Sequence, residues 1–499
     1  MKNWKAIAGS AAFVTLMSST AAFADVSAKE VWDDWRLYMS GMGYKLTSND
    51  TLSDGKVTVD DLVMEMKIPE EDDTLTVSLG QITFTDQGDG SVAVGFAPDL
   101  PVKITVDDEF AATLKYTHQA MDMIVSGAPE EMRYDYTAAA MGVELVDLMM
   151  DGKELHNAVF NVNMQGVAGE ATNIVADLRK VAESFSAKSV TYDIAMKEPR
   201  GDSSFKIKGD MADLAGKFTA SMPSNVNFEK MAQTLSDGFA FAGGFSWGSG
   251  GYELSTSDGG DTMQGKTQMR SGSFDVKMDR EQLMYASDAK GIKASISGNS
   301  IPLPSIDYQL GSAGFKLLMP VSKSQKASDF SFAINLDQLS VSEAIWGLFD
   351  PSAVLPRDPA TIRLALDGKA NWLVDIMDPK SSKKADVPGQ LHALTLKELQ
   401  LSIAGADLTG SGDFTFDNSD LETFDGLPAP EGEVNLELTG GNGLLDNLIK
   451  MGLVPQDQAM GVRMMIGMFA VVGDGPDTLT SKIEVKSDGS ILANGQRLK

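Results

Sequence analysis

From about residue 75 onward the chain alternates apolar and polar residues, and a period of two commits a polypeptide to strands with one apolar and one wet face. Leu75-Thr-Val77-Ser-Leu79, Val102-Lys-Ile104-Thr-Val106, Met132-Arg-Tyr134-Asp-Tyr136 and Phe160-Asn-Val162-Asn-Met164 set the pattern. It returns at Val190 to Met196, Phe274 to Met278, Phe330 to Ile334, Ile362 to Leu366, Leu399 to Ile403 and Val434 to Leu438. Asp-Gly and Gly-Asp pairs punctuate the runs, which predicts hairpins in series. The expected fold is mainly β: a long antiparallel meander, curved or folded over. An N-terminal helix, short helical insertions and a C-terminal helical hairpin complete it.

The helix at the start rests on a capping box, Ser27 with Glu30, and on Val31, Trp35, Tyr38 and Met42 at helical spacing. Gly41 and Gly43 end it, and Trp32 and Trp35 point to a helix that docks in a core. Helical patterns interrupt the meander at 227–236 and 342–349. They recur as a pair at 442–451 and 455–472, read together as a hairpin at 442–472 lying on the sheet. Met460, Met464, Met468 and Val472 align on one face of the second helix, with Leu444, Leu445 and Leu448 opposite. The stretch 171–186 fits a helix through Ile174, Leu178 and Val181, although strand spacing resumes at Val190.

The first 24 residues have the composition of a secretory signal peptide: Lys2 and Lys5, the apolar run Ala6 to Met17, and Ala22-Phe23-Ala24 at a cleavage site. Cleavage before Asp25 predicts a periplasmic protein with no integral membrane segment. There is no cysteine among the 499 residues, so disulfides, thiolate metal sites and cysteine nucleophiles are excluded. Net charge is −28, and loss of Lys2 and Lys5 with the leader makes it −30, which repels nucleic acid and anionic headgroups. Asp135-Tyr136 with Gly142 to Leu145 matches Asp307-Tyr308 with Gly314 to Leu317 at an offset of 172, which suggests β-rich halves at 25–223 and 224–499.

Motifs of catalysis are weak. Gly244-Phe-Ser246-Trp-Gly248 fits a nucleophile elbow, with His392 downstream, but Gly250-Gly251 lead into strand-like residues where the elbow requires a helix. A glycine-rich hairpin is the expected reading. Asp50-x-Leu52-x-Asp54-Gly55 imitates a calcium loop, yet Leu52 cannot coordinate and Asp61 replaces the long bidentate Glu, so an Asp-Gly turn is expected. His118, His156 and His392 stand apart without metal-ligand spacing, and the acidic run Glu70 to Asp73 reads as a solvated loop. No catalytic residue, metal site or cofactor is assigned.

What the pattern leaves is the apolar face. A long sheet must hide it by folding over, closing or taking a helical cover, and an incompletely filled interior is a groove of lipid size. Such a groove takes a lipid or other apolar small molecule, with Met460, Met464, Met465, Met468 and Phe469 as lid or lining. The alternative is a structural or assembly partner of an envelope protein; a serine hydrolase through Ser246 ranks last.

The phrases Pro356-Arg-Asp-Pro-Ala-Thr361, Leu408 to Phe416, Pro455 to Met460 and Ala493 to Leu498, with Ala24-Asp25-Val26 and Trp32 to Trp35, resemble the bacterial domain-of-unknown-function family numbered 2125 over nearly the whole mature chain. That resemblance implies lineage and a periplasmic setting and brings no catalytic residues. The Leu-x-Gly-x-Gly-x-Phe style of Leu408 to Phe414 is similar to AsmA-like envelope proteins, whose sheet grooves are associated with phospholipid movement. At fold level it implies a groove of that kind.

Overall fold

A computed structural model describes residues 25–68, 73–198, 201–377 and 387–499; residues 1–24, on which the expected signal peptide falls, and Glu70, Glu71 and Asp72 of the acidic run lie outside them. Helix α1 (Ala28–Gly41) forms where the spacing predicts it. The Ser27 side chain accepts from the Glu30 amide, and the Glu30 carboxylate accepts from the Ser27 amide at 2.9 Å. Its Val31 and Trp32 are buried against Val57, Val59, Leu62, Ile82, Phe84 and Val92, so the first strands curl around the helix as their core.

All 28 strands among the described residues belong to one sheet whose ladders are all antiparallel. It is an up-and-down meander of long strands such as Glu131–Met150, Leu178–Lys197 and Ser204–Pro223. Several long strands are broken by a bulge: Ser204–Pro223 pairs one half with Ala240–Trp247 and the other with Gly250–Asp258. The sheet therefore runs without interruption through the expected divide at Pro223. Its edges, Lys45–Ser53 and Gln496–Arg497, each have a single ladder partner, so among the described residues it is open. Both segments with the phrase repeated at an offset of 172 are long strands within it.

Three local expectations are corrected. The stretch 171–186 is two strand segments joined by a turn at 175–177, because Val159–Ile174 and Leu178–Lys197 pair along their lengths and that ladder outweighs helical spacing. Gly244 to Gly248 is no hairpin: Gly244 to Trp247 lie inside a strand, and the Gly248 amide donates to Ala212 O across a bulge. The last helix stops at Phe469, three residues before Val472, because Val471 and Val472 pair with Thr480 and Leu479 as an edge strand. The Asp54-Gly55 turn forms, with φ of 46° and 73° as a two-residue hairpin turn requires.

The other α-helices among the described residues are α2 (Met231–Ser236), α3 (Glu343–Phe349), α4 (Gly441–Lys450) and α5 (Gln456–Phe469), the last as long as α1. Asp477 closes the N-terminus of α4, accepting from the amides of Asn442 at 3.2 Å and Gly443 at 2.8 Å. Arg463 of α5 donates to Asn442 at 3.1 Å and to Asp446 at 2.6 Å, so the hairpin is joined by polar side chains. The methionines expected to pack against Leu444, Leu445 and Leu448 instead face outward.

Candidate functional site: an apolar track across the sheet

Laterally paired residues share a face, so the ladder registers assemble rows that cross the strands. One row runs Phe185, Gly216, Phe245, Phe274, Ser287, Phe315, Ile334, Leu364, Leu399, Gly410 and Leu436. Its neighbour runs Glu183, Phe218, Gly243, Val276, Tyr285, Leu317, Phe332, Leu366, Leu396, Gly412, Val434 and Ile483. Together they are the apolar half of the alternation read from the sequence.

Glycines in these rows give the track its surface. A Cβ at Gly216 would meet the Phe185 ring at 2.3 Å, one at Gly243 the Phe218 ring at 2.2 Å, and one at Gly410 the Leu436 side chain at 2.6 Å. Large side chains thus lie across the glycine of the next strand, which explains the Leu-x-Gly-x-Gly-x-Phe style physically. Phe185 and Phe218 stack at 6.0 Å, Phe245 and Phe274 are 5.8 Å apart, and Phe315 and Phe332 meet edge-on at 5.9 Å.

Helix α1 covers the start of this face, and among the described residues no helix packs on its middle in the same way. Phe245, Tyr285 and Phe315 remain 39%, 37% and 39% exposed, fractions at odds with a filled core. The chain's accessible surface is 29256 Å², whereas a compact protein of 53.3 kDa has about 18,000 Å². At the far end, α5 is tethered where Ser481, a member of the apolar face, donates to Phe469 O at 2.7 Å and Asn494 donates to the same oxygen at 2.9 Å. Met460, Met464, Met465, Met468 and Phe469 are all exposed there, Met464 at 71%.

Residues 249–495 match the family described as "Uncharacterized protein conserved in bacteria (DUF2125)". Over that span the chain is similar to this family. The family span holds the phrases around Pro356, Leu408 and Pro455; Trp32 to Trp35 lie before it. It includes most of the uncovered track and the α4–α5 hairpin. No curated protein matches the chain. Among solved structures, the ferric preacinetobactin receptor BauA of Acinetobacter baumannii is similar at 9% identity, covering 90% of this chain and 76% of that one, with a TM-score of 0.16.

Two open clefts lie off the track. These clefts, of 860 and 460 Å³, sit on the polar face, lined by Asp210, Gln268 and Lys293 and by Asp193, Lys208 and Glu253. A twisted sheet is saddle-shaped, so each face is concave along one diagonal. The apolar face is the stronger candidate, because polar side chains in water are at rest, with Lys266 and Glu253 paired at 2.9 Å, while exposed hydrocarbon costs about 25 cal/mol per Å².

Two features escape sequence reasoning. Asp34 of α1, 6% exposed, accepts from Arg179 at 2.6 and 3.0 Å and from Asn173 at 2.6 Å, tying the helix to strands 139 and 145 residues away. Tyr134 beside this network accepts from Trp35 at 3.2 Å, and burial pushes its phenol up to about 12. Ser246 pairs laterally with Ala215 and Ser273 on the wet face, with strand on both sides. The His392 ring contacts Asn371. Trp32 donates to Asp50 at 2.8 Å, so that carboxylate serves the α1 core. Among the described residues no three acidic or histidine side chains gather in a way that could hold a metal.

Proposed function

We propose that the protein is an exported, periplasmic carrier that holds an acyl chain or similar apolar ligand along the track, with α5 as lid or end-plug. The observation that supports this is the row of apolar side chains and glycines, headed by Glu183, that among the described residues is left without helical cover. From Glu183 to Ile483 it crosses twelve strands, and eleven steps of about 4.8 Å span about 53 Å. That exceeds the roughly 30 Å thickness of a bilayer's hydrocarbon, so a full acyl chain fits with room to slide. Each buried CH2 contributes about 0.8 kcal/mol, so a chain of about sixteen carbons gains on the order of 10 kcal/mol, against an association cost of roughly 4–15 kcal/mol. Reversible binding follows, as a carrier requires. The signal-like N-terminus supports export, and the acidic surface favours receiving cargo from a partner or from headgroups without net negative charge.

Native mass spectrometry with lipid extraction of protein purified from the periplasm tests this. The expected result is a co-purifying apolar ligand that is lost in Phe274→Asp and weakened in Met464→Asp/Met468→Asp. If the wild type carries none and binds no fluorescent fatty acid, the carrier reading fails; if binding ignores the methionine changes, the lid fails alone.

A further inference from the structure

Where α1 stops covering the apolar face, one member of the row carries charge. Glu183 pairs laterally with Ala171 and Phe218, and Phe185 follows two residues along on the same side. The Phe185 and Phe218 rings are nearly parallel, at 3°. Tyr136 donates its hydroxyl to the Glu183 carboxylate at 3.0 Å, the one hydrogen bond that carboxylate accepts among the described residues. Burial and then the Glu183 charge push the Tyr136 phenol up, which keeps it a donor. The nearest guanidinium of the same strand, Arg179, is held by Asp34 at 2.6 and 3.0 Å.

A carboxylate in an apolar row that has, among the described residues, one neutral donor and no ion pair lacks a partner of opposite charge. An anionic headgroup would add repulsion. An ammonium would supply the missing charge-assisted hydrogen bond, and the faces of Phe185, Phe218 and Tyr136 favour a cation as well. We infer that Glu183 and Tyr136, flanked by Phe185 and Phe218, form a headgroup site for an ammonium, so that the ligand on the track is an amphiphile with a protonated amine at one end of its acyl chain. This rests on the apolar-ligand reading and specifies its substrate class.

Hexadecylamine, hexadecanol and palmitate, equal in chain length, separate the two ideas when each is titrated into the mature protein below its aggregation threshold. The amine should bind at least about 10-fold more tightly than the alcohol, as one charge-assisted hydrogen bond allows, and palmitate should bind most weakly. Glu183→Gln, which still accepts from Tyr136, should bring the amine down to the alcohol and leave the alcohol unchanged. The wild-type preference should also survive about 0.5 M salt, which screens attraction to the acidic surface at large. Equal binding of amine and alcohol, a preference that persists in Glu183→Gln, or one that vanishes in salt overturns the ammonium site while the carrier stands. If none of the three binds, the carrier reading itself falls.

Discussion

Asp34→Ala is the substitution that most sharply tests how the covered end is held. The lost carboxylate accepts two hydrogen bonds from Arg179 and one from Asn173. Its removal strands a guanidinium that is 13% exposed beside an Asn173 whose Oδ1 already lacks a partner. Breaking a buried pair from one side costs about 3–5 kcal/mol, a large part of the roughly 5–15 kcal/mol that holds a domain together. In a sheet whose strands touch only their neighbours, that loss concentrates where α1 docks. Hydrogen exchange of residues 28–41 and a urea titration followed by tryptophan emission would read it. With a slope near 2 kcal/mol per M, the midpoint of the α1 transition should fall by about 2 M. The double change Asp34→Leu/Arg179→Met, which removes both charges and keeps volume, should recover most of this. A single-variant shift below about 0.3 M, or a double variant no better than the single, would refute the claim that this pair fixes α1 to the sheet.

Two further outcomes are expected. Burial pushes the Asp477 carboxyl up, but the amides of Gly443 and Asn442, the Asn442 side chain and Arg463 outweigh it and hold the group below its ordinary value. The stabilisation it gives α4 is therefore fully present above the unfolded value near 3.9 and is lost as pH falls through the lower folded value. Protection of the amides of residues 441–450, relative to their intrinsic exchange at each pH, should fall on acidification below about pH 4, and Asp477→Asn should abolish that dependence. Ser246→Ala should leave labelling by serine-directed activity probes unchanged, since Ser246 stands in a strand on the wet face; labelling that disappears with the hydroxyl would restore the hydrolase reading.

Much of the candidate site was legible. The alternation through Phe274, Phe332 and Leu366 states which side chains share a face, since that follows from strand geometry alone. The methionines of α5 were legible as an apolar helical stripe, but their exposure was not, because a stripe is the same whether or not something lies against it. Glu183 gave no signal: in sequence it is one carboxylate among 70 acidic residues, and only the register across three strands places it between Ala171 and Phe218.

By itself the sequence determined the β class, the α1 cap at Ser27 and Glu30, the Asp54-Gly55 turn and the segregation of hydrocarbon to one face. All of these depend on residues within a few positions of one another. Tertiary structure alone decided that 171–174 and 178–186 are strands held between Glu131–Met150 and Ser204–Pro223, that Gly244 to Trp247 continue a ladder, that Asp34 reaches Arg179, and that the face past α1 stays open among the described residues. Each depends on partners tens to more than a hundred residues apart, and the free energy of a lateral contact belongs to both strands, so neither stretch of sequence carries it alone.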